Sequence, residues 1–92
     1  MNIQELIAKA AKKTGSMKAL AEKLDKNPGR ITEWHQGKRK PDAYEIARIA
    51  IICKMPIFET IAEIEINLFP ENKQTWETAI KEINAPSKSH QI

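Results

Sequence analysis

The sequence predicts an all-α fold, and three observations carry that prediction. Apolar residues recur at three- and four-residue spacing along six successive segments. Asn, Ser, Asp, Gly and Pro fall between those segments, where helices start and stop. No run alternates apolar and polar residues long enough for a strand, and no internal repeat is present. The chain has 92 residues, 41% of them hydrophobic, which makes one small globular domain with room for a short appendage. Such a chain can bury a core but not a deep catalytic cleft with a second layer around it.

The first helix follows Asn2, a good N-cap, and carries Ile3, Leu6, Ile7, Ala10 and Ala11 on one face before Thr14-Gly15 ends it. Ser16 caps a second, whose inner face is Met17, Leu20, Ala21 and Leu24, and Asp25-Lys26 forms a turn. Asn27 offers the next cap. Pro28 takes the first helical position, where its missing N–H costs nothing; Ile31 and Trp34 form the inner edge, and Gly37 closes the helix. After Pro41, Asp42 and Glu45 resemble a capping box for a fourth helix, Ala43 to Cys53. It is apolar almost all round, with Arg48 the main interruption, and so is expected in the middle of a bundle. A fifth helix starts at Pro56 and ends near Phe69-Pro70, with Ile57, Phe58, Ile61, Ala62, Ile64, Leu68 and Phe69 in one arc, Glu65 inside it and Ile66 opposite. A last helix is expected from about Glu71 to Ile83, with Trp76, Ala79, Ile80 and Ile83 on one face, and residues 85–92 should fray.

Charge divides the chain. Residues 1–54 hold 12 Lys/Arg and 6 Asp/Glu, whereas residues 55–92 hold 3 and 6. A basic front half suits a polyanion; an acidic back half does not. Cys53 is single and lies in an apolar run, which reads as a buried, inert thiol. Lys9, Lys12 and Lys13 interrupt any secretory apolar stretch, and Ile49 to Cys53 is too short to span a bilayer, so no membrane partner and a cytoplasmic location are expected.

Helices two and three leave about three residues between them, the geometry of a helix-turn-helix. Such a pair needs apolar residues where the helices face each other, here Leu20, Leu24, Ile31 and Trp34, and a small one at the closest approach, here Ala21. The order LAEKL, turn, Ile31-Thr32-Glu33-Trp34, then Gly37-Lys38-Arg39-Lys40-Pro41 and an apolar helix resembles the Cro and phage-repressor family over residues 3–69. Two departures stand out. Asp25 occupies the turn position that is usually Gly, and Pro28-Gly29 opens the third helix where long polar side chains are common.

The resemblance implies a lambda-repressor-like five-helix bundle over residues 1–69, with a C-terminal helix over 70–84 that packs or dimerises. It implies a sequence-specific double-stranded DNA-binding regulator, such as a phage or prophage repressor, with helix 28–36 in the major groove. The base-facing set would be Asn27, Pro28, Gly29, Arg30, Thr32, Glu33 and Gln36. Arg30 suits guanine or a phosphate; Glu33 suits cytosine N4 or the orientation of a neighbouring Arg. Ser16, Lys18, Lys38, Arg39 and Lys40 would hold phosphates. Few polar side chains at the helix start would leave part of the readout to DNA shape.

Helix-turn-helix proteins of this kind commonly bind as dimers, and the candidates for a homodimer surface are Ile66, Trp76, Ile80 and Ile83. An antitoxin-type module holding a protein toxin, a partner such as an antirepressor, and an excisionase-like architectural protein are the alternatives. His35 reads as a surface or half-buried residue rather than a ligand, His90 lies in the tail, and Glu63 and Glu65 diverge too far to act as an acid/base couple. No metal cluster, nucleophile–base pair or phosphate-cradling loop is legible, so neither an enzyme nor a cofactor is expected.

Overall fold

Helix caps set the frame. The computed structural model describes residues 1–84; the predicted tail 85–92, with His90, lies outside the described residues. All regular structure among the described residues is helical: α1 (Ile3–Thr14), α2 (Met17–Lys23), α3 (Pro28–His35), α4 (Ala43–Ile52), α5 (Ile57–Leu68), a 3-10 turn (Pro70–Asn72) and α6 (Lys73–Asn84). Asn2, Ser16, Asn27 and Asp42 each accept a backbone N–H at the start of α1 to α4. Asn2 with Glu5, and Asp42 with Glu45, form full capping boxes, each satisfying two otherwise orphaned donors.

Three helices end in the same reciprocal hydrogen-bonded turn. After α2, the N–H of Lys26 donates to Ala21 O (2.9 Å) and that of Asp25 to Glu22 O (3.2 Å). After α3, Lys38 donates to Glu33 O (2.9 Å) and Gly37 to Trp34 O (3.2 Å). After α4, Met55 donates to Ala50 O (3.0 Å) and Lys54 to Ile51 O (3.1 Å). Each turn needs one left-handed residue, and these are Asp25 (φ 55°), Gly37 (φ 77°) and Lys54 (φ 55°). Asp25 therefore does the work usually given to Gly.

The core is continuous across α1 to α5. Leu6, Ile7, Leu20, Ile31, Trp34, Ile46, Ile49 and Ile64 are its largest fully buried side chains. Burying each large aliphatic or aromatic side chain contributes about 1.5–3 kcal/mol, offset by chain entropy. All five predicted contacts of the α2–turn–α3 unit are buried: Leu20, Ala21 and Ile31 at 0%, Trp34 at 1% and Leu24 at 2% exposure.

Two expectations need correction. α4 is not surrounded. It buries Ile46, Ile49 and Ala50, flanked by α1 and α5, while Tyr44 and Ile51 stand 69% and 58% exposed. The arc of α5 is also narrower than its sequence suggests: Ala62, Ile64 and Thr60 are buried, but Ile57 is 44% exposed. Glu65 sits half-exposed at the arc's edge.

α6 begins later than its sequence suggests, because Phe69 (φ −135°, ψ 76°) breaks α5 and Pro70 first starts a 3-10 turn. α6 packs on α5 and that turn, buries no residue fully, and is anchored by Trp76 against Phe58, ring centroids 6.1 Å apart and tilted by 58°. Among the described residues, no helix is long and apolar enough to cross a membrane.

Candidate nucleic-acid interface

α3 is held by two residues and displays the rest. Ile31 and Trp34, three apart, point into the core and leave the remaining faces of a two-turn helix outward. Asn27, Pro28, Gly29, Thr32 and Gln36 are exposed, and the side chains of Arg30 and Glu33 are 38% and 41% exposed. The seven residues expected to face a nucleic acid are therefore all wholly or partly accessible.

Several of these groups are already committed. Asn27 Oδ1 accepts the Gly29 N–H at 2.7 Å, and a Cβ on residue 29 would lie 3.1 Å from that oxygen. The bare position at Gly29 thus fits the cap beside it, a reason the sequence alone does not give. Thr32 Oγ1 donates to Pro28 O at 3.2 Å, which leaves its methyl and its acceptor capacity for a ligand.

Glu33 organises the end of the helix twice. Its carbonyl accepts the N–H groups of Lys38 (2.9 Å) and Arg39 (3.3 Å), and its carboxylate lies 3.3 Å from Arg39 Nε and 3.8 Å from Arg30 Nε. Both arginines pair through Nε, so their terminal nitrogens remain available to a planar acceptor. This pairing is compatible with the orienting role read for Glu33 as an alternative to a base contact.

The phosphate candidates separate. Lys38 and Arg39 are exposed beyond the end of α3, and Lys18 is exposed on α2. Lys40 turns away. Its Nζ donates to Leu68 O at 3.2 Å and lies 4.2 Å from the centre of the Phe69 ring, where it caps the end of α5 and makes a cation–π contact. Ser16 Oγ accepts the Ala19 N–H at 3.0 Å, so its hydroxyl serves α2 first.

The turn before α3 is fixed from α4, and this support is not legible in local sequence. Arg48 donates from Nη1 to Leu24 O (3.0 Å) and from Nη2 to Lys23 O (2.8 Å), satisfying carbonyls at the end of α2. Lys26 Nζ lies 3.0 Å from Glu45 Oε2. Arg48 reads in sequence only as a break in an apolar helix, because its carbonyl acceptors lie 24 and 25 positions away along the chain.

The dimer candidates are not equally free. Trp76 is half-buried on Phe58, Ile66 and Ile80 are half-buried, and Ile83 is 55% exposed. Cys53 is 4% exposed, and burial pushes its thiol pKa above the ordinary value, while Lys9 and Lys13 pull it partly back. Among the described residues, no group of three or more His, Cys, Asp or Glu is placed to hold a metal ion. The chain matches no protein-family model, no curated protein and no solved structure.

Proposed function

We propose that the chain is a sequence-specific double-stranded DNA-binding regulator that lays α3 in the major groove. We further read α1 to α5 as the five-helix bundle of the Cro and phage-repressor family, acting in the cytoplasm and on DNA as a homodimer. The observation that carries the reading is the division of α3, where Ile31 and Trp34 at 0% and 1% exposure fix a helix whose other side chains are accessible. A major groove about 12 Å wide admits one such helix.

The chemistry of that face supports the same reading. Arg30 and Arg39 can each meet guanine O6/N7 or a phosphate, Gln36 can meet adenine N6/N7, and the Thr32 methyl can meet thymine. Lys38 and Lys18 supply cations to the flanking backbone, which positions the helix without reading sequence. Lys40 holds the loop after α3 against α5 through Leu68 O and the Phe69 ring.

Selection of bound duplexes from random DNA at two salt concentrations tests the reading. A recurrent motif is expected, repeated about 34 Å apart if two copies bind, with affinity falling steeply as salt rises. Recovery of no motif and no binding at low salt would overturn it.

A further inference from the structure

Away from α3, an open groove of about 950 Å³ lies between the end of α1, α2 and the end of α4. Lys13, Lys23 and Lys54 line it, together with Ile51, which is 58% exposed, and Ile52, which is half-buried. Among the described residues no carboxylate pairs with any of the three lysines, and Glu22 is the acidic residue that lines the groove. The remaining cation, Arg48, is committed to the carbonyls of Lys23 and Leu24. The left-handed turn at Lys54 fixes the groove's end on α4.

We propose that this groove docks an acidic amphipathic helix of a partner protein. Charge complementarity selects the partner. A nucleic-acid backbone would satisfy the lysines but give Ile51 and Ile52 nothing apolar to bury against. An uncharged apolar segment would cover the isoleucines but leave three ammonium groups desolvated without partners. A helix with an apolar stripe at i, i+3, i+4 and i+7 and carboxylates along its flanks meets both demands. Its affinity comes from burying the stripe, and its orientation and association rate from the lysines. The site uses α1, α2 and α4 and none of the residues assigned to DNA, so it stands or falls independently of the DNA reading.

The test is a selection of displayed random 16-residue peptides on the full chain, followed by affinity measurement on variants. Enriched peptides should be net acidic, with Leu, Ile, Phe or Met at helical spacing. Their affinity should fall at least tenfold on Lys13→Glu/Lys54→Glu and on Ile51→Ser, and should be unchanged on Arg30→Ala/Arg39→Ala. All the substituted positions are wholly or partly exposed, and circular dichroism checks that each variant keeps its helices. Recovery of no peptide, recovery of peptides without the acidic and apolar pattern, or loss of binding on the α3 variant would overturn the proposal. A duplex oligonucleotide whose binding shifts the amide signals of Ile51 and Ile52 would do the same, by making the groove a nucleic-acid surface.

Discussion

Glu33 Oε1 lies 3.3 Å from Arg39 Nε, and the same glutamate's carbonyl accepts the Arg39 N–H. One residue thus ties the end of α3 to the loop after it through both backbone and side chain. The ion pair is exposed and adds little stability on its own. On the proposed DNA reading its consequence is for binding, because the carboxylate would both aim the arginines and repel phosphate. Glu33→Gln should raise affinity for arbitrary duplex about fivefold at low salt, roughly the 1 kcal/mol that one surface charge supplies. Discrimination between sequences should fall. Fluorescence anisotropy with matched and scrambled duplexes checks both effects.

Arg48 couples α4 to the turn before α3 through two hydrogen bonds to carbonyls. Arg48→Met keeps much of the stem's packing and removes the donors, so it should destabilise the fold by about 2 kcal/mol. Urea unfolding followed by circular dichroism measures this, and a variant as stable as the wild type would contradict the assignment.

The left-handed turns carry a testable asymmetry. Asp25 and Lys54 bear the cost of φ near 55°, whereas Gly37 avoids it at 77°. Asp25→Gly should stabilise by about 0.5 kcal/mol, since the gain at this φ exceeds glycine's entropic cost. Gly37→Ala should destabilise by about 1 kcal/mol through φ alone, as a Cβ there meets nothing within 4 Å.

Cys53 gives a pH-dependent readout. Its folded pKa is raised by burial above the ordinary 9.0. Below that value both folded and unfolded thiols are protonated, and folding gains nothing from pH. Above it the unfolded thiol ionises first, so stability falls as pH rises through the folded pKa. Cys53→Ala should lose this alkaline decline, seen as a flatter urea midpoint from about pH 8 to about pH 10.5, a range that brackets the ordinary thiol pKa of about 8.5–9. In the wild type at pH 8, a thiol reagent should react with Cys53 at least ~100-fold more slowly than in the unfolded chain, because reaction awaits opening.

The helices and the face of α3 were legible because they rest on local rules. Caps at Asn2, Ser16, Asn27 and Asp42, breaks at Gly15 and Gly37, and the spacing of Ile31 and Trp34 are all short-range. What escaped depends on residues far apart in sequence. Lys40 sits next to Lys38 and Arg39, so adjacency gives it a phosphate, yet the end of α5 claims it across 28 positions. Arg48 reaches back 24 and 25 positions to its carbonyls. The exposure of Ile51 and Ile57 follows from which neighbours flank α4 and α5, which hydrophobic patterning does not specify. Lys54 in a left-handed turn runs against its own preference and gave no signal.

The central claim is that the outward face of α3 meets a DNA groove, and amide chemical-shift mapping during titration with a selected duplex tests it most directly. The account predicts the largest changes at Gly29, Arg30, Thr32, Glu33, Gln36, Lys38 and Arg39, with Ile31 and Trp34 still packed in the core. Changes confined to α5 and α6, with α3 unmoved at saturating duplex, would contradict it.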